Sequence, residues 1–149
     1  VVITDYPDND LIENIKYNAM QNLSSKDSCD IVNIEVMGYI WGKDTGPLLD
    51  VISSQQNLQS INKRSYYDLI ILSDLIFNHS QHSALLKTCE ECLEIENGQV
   101  FVFFTHHRPS LAYKDMEFFE KANGLFKVEK ILETIMTPMF EKDEGSDIV

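Results

Sequence analysis

Two short runs of apolar residues end in side chains that could bind a ligand. The first is Val1–Asp5, and the second is Asp68–Asp74, which closes with Ser73 and Asp74. In an open α/β sheet, ligands bind just outside the carboxyl ends of the strands. A carboxylate such as Asp5, placed just past a buried strand, can accept two hydrogen bonds from a ribose diol. The alternative is an acid that caps a helix or closes a turn, and the residue alone does not separate the two.

A second candidate group combines two histidines and two cysteines at a spacing known from metal sites. His79 and His82 are three residues apart, and Cys89 and Cys92 repeat that spacing shortly afterwards. Both cysteines nevertheless fall on one apolar helical stripe, which consists of Leu85, Leu86, Cys89, Cys92 and Leu93. Zinc ribbons usually place Cys-x-x-Cys on a turn, and the two glutamates between these cysteines would raise the pKa of the thiols. We therefore predict a buried helix face rather than a metal site.

The elements that must position these side chains alternate between strands and helices. Apolar or alternating runs predict strands at 1–3, 31–37, 69–72, 99–105 and 126–132, and the stretches between them predict helices at about 7–23, 47–57, 81–96 and 115–122. The run Val100–Phe104 contains no polar residue, so its strand is predicted to be buried on both faces. Apolar strands separated by helices indicate a single α/β domain with a parallel, doubly wound sheet, and a surface loop at 57–65.

Composition restricts the partners and the surroundings of the protein. The chain has 149 residues, a hydrophobic content of 44% and a formal net charge of -12. Because phosphates need Lys and Arg to neutralise them, this charge argues against nucleic acid, whereas a basic protein partner would be attracted. No apolar run approaches the ~20 residues that span a bilayer, and no signal-peptide pattern is visible. Three cysteines without framework spacing suit a reducing compartment, so we expect a cytoplasmic protein.

Several short motifs, taken in order along the chain, resemble those of a known family. They are Thr4-Asp5-Tyr6-Pro7, Asn14 with Asn18, Gly38-Tyr39-Ile40-Trp41-Gly42, Leu72-Ser73-Asp74-Leu75-Ile76-Phe77-Asn78, Thr105-His106-His107-Arg108-Pro109 and Pro138-Met139-Phe140-Glu141. The set is similar to seven-strand S-adenosylmethionine-dependent methyltransferases, in the nicotinamide N-methyltransferase-like group of protein-lysine methyltransferases. Within that group it looks like the fungal branch that methylates N-terminal and lysine amines of translation elongation factor 1-alpha. The resemblance implies a Rossmann-like sheet, S-adenosylmethionine as the methyl donor and elongation factor 1-alpha as the protein substrate.

The resemblance also implies roles for individual residues. Asp5 would grip the ribose of the cofactor, Trp41 would lie against the adenine, and Ser73 would contact the cofactor through its backbone or hydroxyl. Asp74 would match the acidic residue of an Asp-x-x-Tyr/Phe motif. As the catalytic residue it would hold the acceptor amine and accept or relay its proton. Phe77 stands where many relatives have tyrosine, so it offers no hydroxyl for proton transfer. The structural alternatives are core packing for Trp41 and Phe77 and a helix cap for Asp74.

One part of the family pattern has no counterpart in this sequence. The family has a glycine-rich loop after its first, central strand, on the N-terminal side of the acid that Asp5 matches. The six glycines here, at 38, 42, 46, 98, 124 and 145, form no Gly-x-Gly cluster. Because that first strand lies in the middle of the family's sheet, its absence would split the sheet. We therefore expect residues 1–149 to be the C-terminal part of a single methyltransferase domain that binds the cofactor poorly by itself.

Two other functions remain open on the sequence alone. An NAD-type dehydrogenase also places an acid after its second strand, but it needs a Gly-x-Gly-x-x-Gly loop before that acid. A non-catalytic interaction module could keep the fold without turnover, because fold does not imply function. His106 and His107 follow a predicted strand end and could line the entrance for the acceptor, although a solvated loop is the commoner role for such residues.

Overall fold

Strands and helices alternate strictly along the parts of the chain that the computed structural model describes, which are residues 1–24, 33–55 and 66–134. The strands are β1 (Val2–Asp5), β2 (Glu35–Gly38), β3 (Leu69–Ser73) and β4 (Gln99–Phe103), and the helices are α1 (Asn9–Ser24), α2 (Gly46–Gln55), α3 (His82–Cys92) and α4 (Ala112–Ala122). Short 3-10 turns precede α3 and α4, at His79–Gln81 and Pro109–Leu111. The predicted α/β alternation is confirmed. None of the helices in these ranges is long and apolar enough to cross a membrane.

The strands pair in parallel, as predicted. β1 pairs with β2 so that Asp5 lies opposite Gly38, and β3 pairs with β4 so that Ser73 lies opposite Phe103. Within the described ranges the two pairs form separate two-stranded sheets, since no ladder joins one pair to the other. Parallel neighbours need a crossover connection, which α1 and α3 provide. In each pair, the carboxyl ends of both strands therefore lie at the same edge.

Two apolar clusters form the core. The first contains Leu72, Ile76, Leu85, Leu86, Cys89, Phe118 and Ala122, and the second contains Tyr39, Leu48, Leu49 and Cys92. Helix α3 contributes to both clusters, and Trp41 and Ile70 pack against both. All five residues of the predicted apolar stripe are buried, which confirms that prediction. The helix ends before the predicted limit because Leu93 adopts extended backbone and forms a parallel bridge with Tyr67.

Within the described residues, the second pair of strands is packed on one face and largely open on the other, which corrects the prediction of a strand buried on both faces. Val100 and Val102 pack against the first cluster, to which α3 and α4 both contribute. On the strands, Leu69, Ile71 and Phe103 are exposed. Within the described residues, then, the uninterrupted apolar run reflects one packed face and one open face.

The predicted strand at 126–132 is also wrong, since its residues form neither strand nor helix. The Phe126 amide donates to the carbonyl of Ala122 at 2.8 Å, so the chain continues from the end of α4. Phe126 and Val128 pack against the first cluster, whereas Lys127 between them is exposed. The alternation therefore comes from packing over a helix end without strand pairing. The predicted loop at 57–65, residues 31–32 of the second predicted strand and the motif at 138–141 lie outside the described residues.

Candidate active site at the strand ends

Candidate chemical groups lie just beyond the carboxyl ends of the strands. Asp5 is the last residue of β1, and Ser73 is the last residue of β3 and is followed directly by Asp74. The loop after β4 carries His106 and His107, and Trp41 follows β2 by three residues. In open parallel sheets this is the edge where ligands bind.

Asp5 has an exposed carboxylate that does not cap the following helix. Its Oδ1 accepts a hydrogen bond from the Tyr6 amide at 2.6 Å. The cap of α1 is provided by Asp8, whose Oδ1 accepts the amides of Asp10 at 3.0 Å and Leu11 at 3.1 Å. The helix-cap alternative for Asp5 is therefore wrong, and its carboxylate remains available at the strand end.

The Trp41-Gly42 turn is hydrogen-bonded to helix α3. Gly42 has a φ of 76°, and a Cβ on it would lie 2.9 Å from the Cβ of Ala84, so a side chain would be both strained and crowded. The Gly42 amide donates to Thr88 Oγ1 at 2.8 Å, and Lys87 Nζ donates to the Gly42 carbonyl at 3.0 Å. Trp41 is partly buried and packs against both apolar clusters, so core packing accounts for at least part of its side chain.

Asp74 is held by the neighbouring strand and by the loop after β4. Its amide donates to the Phe103 carbonyl at 2.7 Å, and its Oδ1 accepts the Thr105 amide at 3.3 Å. Its Oδ2 lies 2.7 Å from His107 Nε2. Both carboxylate oxygens are thus occupied by the β4 loop, so Asp74 is not a helix cap. Its φ of 57° is a left-handed conformation that costs on the order of 1–3 kcal/mol, and such strain is concentrated at functional sites.

An open cavity of about 600 Å³ adjoins this pair and is lined by Asp74, Phe77, His107 and Arg108. The Phe77 and His107 rings meet edge to face with centroids 5.5 Å apart. Arg108 Nη2 donates to the Phe77 carbonyl at 3.3 Å. Phe77 is exposed, so core packing does not explain it. The cavity therefore combines a carboxylate, an imidazole, a guanidinium and an exposed aromatic ring.

A buried carboxylate, Asp115, is bonded to the same loop that carries His107, and sequence reasoning missed its role. Asp115 is only 3% exposed, and its two oxygens bond to His79 Nε2 and His106 Nδ1, each at 2.7 Å. Burial alone would raise the pKa of Asp115, but the hydrogen bonds from the two histidines outweigh it and hold that pKa below its usual range. Asp115 shares the buried face of α4 with Phe118 and Ala122, and an acid on an apolar stripe was the available signal.

Three of the four residues with the metal-like spacing are buried in the core, and the fourth, His79, is bonded to Asp115. Cys89 and Cys92 are free thiols buried in the first and second clusters respectively. Burial, reinforced by the neighbouring Cys92, raises the pKa of Cys89 to about 12; burial and the charge of Glu91 raise that of Cys92 to about 11. His82 is buried and its Nε2 lies 2.6 Å from the Ile76 carbonyl oxygen. No set of three potential ligands that could hold a metal occurs in the described part of the chain.

The structure groups some of the predicted site residues and keeps others apart. Asp74 joins His107 and Phe77 in one cavity, and Ser73 immediately precedes it. No hydrogen bond within the described ranges links Asp5, Trp41 and Ser73 to one another, although each lies at or after the end of its own strand. The β4 loop was expected to be a solvated loop more readily than part of a site. Residues 105–110 are exposed, as expected for such a loop, and each of its two histidines is in addition bonded to a different carboxylate.

Comparison with known proteins identifies the family. The profile of a family described as lysine methyltransferase matches residues 1–124. A protein N-terminal and lysine N-methyltransferase of Schizosaccharomyces pombe is 43% identical over 150 residues, covering 98% of this chain and 53% of the relative. Proteins of the same description from Debaryomyces hansenii and Candida albicans are 45% and 43% identical and cover 98% and 97% of this chain. The chain spans about half the length of these relatives, 54% and 53% for the latter two. The chain therefore belongs to the lysine methyltransferase family.

Proposed function

We propose that the complete protein transfers a methyl group from S-adenosylmethionine to a protein amine. The observation that carries the proposal is Asp74, which follows β3 with a left-handed backbone and has a carboxylate that adjoins an open cavity and is held by the β4 loop. Membership of the lysine methyltransferase family supports the reaction type. The position at the carboxyl ends of parallel strands supports a ligand-binding edge.

Three side chains fit the methyl donor, and we propose that they bind it. Asp5 has an exposed carboxylate whose Oδ2 accepts no hydrogen bond from the described residues, which suits a ribose diol. Trp41 is only partly buried, so the same ring can pack on the core and meet the adenine. Ser73 is exposed at the end of β3. The bound donor would supply a methyl group already activated on a sulfonium, which leaves binding, orientation and exclusion of water to the protein.

The same proposal extends to the fold of the complete protein. We propose that residues 1–149 are the C-terminal part of one seven-strand, Rossmann-like methyltransferase domain. An additional strand between β1 and β3 would join the two separate pairs, and a glycine-rich loop after it would complete the donor site. Support comes from the two strand pairs, which share no ladder within the described ranges, and from relatives of about twice the length. The exposed apolar side chains of Leu69, Ile71 and Phe103 would suit further elements packed on the open face.

The acceptor must lose a proton before it can attack the methyl group. For a lysine with an ordinary pKa of about 10.4, neutralisation at pH 7 costs about 4.6 kcal/mol, whereas an α-amine near 7.7 needs about 1 kcal/mol. An N-terminal amine is therefore the easier acceptor, and a lysine needs more help from the site. Asp74 would keep the amine at the cavity by a hydrogen bond and would stabilise the positive charge that develops on the nitrogen as the methyl group is transferred.

We further propose that the acceptor is translation elongation factor 1-alpha and that the protein acts in the cytoplasm. The substrate rests on the resemblance of the motifs, and the relatives' own names support modification of protein N termini and lysines. The net charge of -12 favours a basic acceptor segment over nucleic acid. The location rests on free, buried cysteines in a chain with an odd cysteine count, which suits a reducing compartment.

The test uses the complete protein, S-adenosylmethionine with a labelled methyl group, and elongation factor 1-alpha with free N-terminal and lysine amines. Asp74→Asn should lower kcat by about ten- to a hundred-fold, because a charged hydrogen bond to the acceptor is worth about 1.5–3 kcal/mol. Its affinity for S-adenosylmethionine should stay close to wild type. Asp68→Asn is the matched control, because Asp68 is exposed and immediately precedes the opposite end of β3.

The outcomes separate the candidate functions. Methyl transfer that survives Asp68→Asn and falls with Asp74→Asn supports both the reaction and the role of Asp74. Unchanged kcat in Asp74→Asn removes Asp74 from the mechanism. A complete wild-type protein that binds S-adenosylmethionine but methylates no protein would overturn the proposal in favour of a non-catalytic module.

A further inference from the structure

We propose that His107 accepts the proton that the acceptor amine must lose, with Asp74 orienting its ring; this inference rests on the proposed function. His107 Nε2 lies 2.7 Å from Asp74 Oδ2. A carboxylate only accepts hydrogen bonds, so this contact places the ring hydrogen on Nε2 and leaves the lone pair on Nδ1. In the described part of the chain, Nδ1 has no hydrogen-bond partner. The contact therefore fixes the tautomer that can take up a proton.

The β4 loop is built to present this ring outward. Consecutive histidines contact different carboxylates: His106 Nδ1 bonds the buried Asp115, whereas His107 bonds Asp74 at the strand end. The second oxygen of Asp115 is bonded to His79, so Asp115 also connects the loop to the segment before α3. Such support by packed and hydrogen-bonded groups is what holds a catalytic side chain in place. His106 and Asp115 thus act as positioning residues for the loop that carries His107.

The His107 side chain is accessible both to an acceptor and to water. It is 47% exposed and lines the open cavity of about 600 Å³. The Phe77 ring also lines the cavity and contacts the His107 ring edge to face, with centroids 5.5 Å apart. The charged side chains that face this cavity are Asp74 from the end of β3 and Arg108 from the same loop. The His106 ring is turned instead to the buried Asp115.

The proton and electron balance is simple. The acceptor ammonium gives one proton to Nδ1 of neutral His107, which leaves an amine with a free lone pair and an imidazolium paired with Asp74. The amine nitrogen forms a bond to the donor methyl carbon as the carbon–sulfur bond breaks, and its electron pair stays on sulfur. The product is a methylated ammonium, and His107 returns its proton to water. Histidine is the residue type best suited to this cycle at neutral pH, and general bases contribute about 10²–10⁴-fold.

The decisive experiment is chemical rescue of His107→Ala in the complete protein. Removal of the imidazole should lower kcat for the protein acceptor about a hundred-fold or more, and free imidazole should restore part of the loss, because the cavity is open. The rescued rate should rise with the fraction of imidazole that is unprotonated. His106→Ala is the matched control: its ring contacts Asp115, so any loss of rate in this variant should not respond to imidazole.

A second measurement does not depend on turnover. In the complete protein with ¹³C-labelled histidine and no methyl donor, the His107 resonance is assigned by its loss in His107→Ala. At a fixed pH its chemical shift should change when the acceptor protein is added, because the acceptor amine is proposed to reach Nδ1 of this ring. The His106 resonance should not change when the acceptor protein is added.

Each result has one consequence. The inference is supported if imidazole rescues His107→Ala but not His106→Ala, and if the His107 resonance responds to the acceptor. If the wild-type protein is active and His107→Ala has a near-normal kcat, the inference is overturned and the proposed function stays intact. The same holds if imidazole does not rescue His107→Ala and the His107 resonance of the wild-type protein does not respond to the acceptor. Wild-type protein that methylates no amine overturns both.

Discussion

Replacing Asp5 by alanine should weaken S-adenosylmethionine binding to the complete protein without unfolding it. The carboxylate is exposed at the end of β1, and its hydrogen bond within the described residues is the one that Oδ1 accepts from the Tyr6 amide at 2.6 Å. Water can replace that exposed contact, so little folding free energy is at stake. Two charge-assisted hydrogen bonds to ribose hydroxyls are worth on the order of 2–4 kcal/mol together, which is about thirty- to nearly a thousand-fold in Kd.

Asp8→Ala is the matched control, because the same residue type three positions later does a different job. Asp8 accepts the amides of Asp10 and Leu11 and so caps α1. Its loss should lower the free energy of unfolding by about 1 kcal/mol and leave the Kd for S-adenosylmethionine nearly unchanged. The two substitutions should therefore have opposite profiles.

Calorimetric titration with S-adenosylmethionine and a thermal melt on each variant decide the matter. The reasoning requires a weaker Kd with a normal Tm for Asp5→Ala, and a normal Kd with a Tm lowered by a few degrees for Asp8→Ala. A Kd for Asp5→Ala within about twofold of wild type would remove Asp5 from the donor site. A lowered Tm with that unchanged Kd would make Asp5 a structural residue.

Three further predictions concern the supports of the site. Gly42→Ala should destabilise the fold by about 1–3 kcal/mol in urea unfolding, because Gly42 combines a φ of 76° with a close approach to Ala84; an unchanged midpoint would contradict this. Asp115→Asn should cost about 1.5–3 kcal/mol at pH 7. Because the pKa of Asp115 is lowered on folding, its contribution is present above the ordinary carboxyl pKa and lost as pH falls through the folded value, so the wild-type advantage should shrink below about pH 4; a constant difference would refute this. Cys89 and Cys92 should escape iodoacetamide at pH 8 in native protein and react in urea, as mapped by mass spectrometry; modification of the native thiols would show that the core opens.

Sequence patterns predicted the elements whose signal is local. The apolar stripe of α3 follows from periodicity. The strands predicted at 1–3 and 69–72 are present, and they end one or two residues later than predicted, at Asp5 and Ser73. The strand predicted at 126–132 failed because an alternating pattern records which side chains face the core, whether or not a neighbouring strand is present.

The connections of the site were beyond sequence reasoning. The carboxylate that a loop histidine contacts depends on the relative positions of two loops and a helix. His106 and His107 are adjacent in sequence, yet His106 bonds Asp115 and His107 bonds Asp74. The acid on the buried face of α4 gave a signal, since Asp115 shares that face with Phe118, but the sequence did not show that two histidines compensate its burial. The donor-site roles of Asp5, Trp41 and Ser73 remain predictions.

Helix α3 packs into both apolar clusters of the described chain, and this affects which parts of the structure open first. Leu85, Leu86 and Cys89 belong to one apolar cluster and Cys92 to the other, while the two strand pairs share no ladder. Local opening of either strand pair therefore leaves part of α3 still packed against the other. In hydrogen exchange the amides of this helix should be the last to lose protection, and the two pairs should open as separate cooperative units that share one helix.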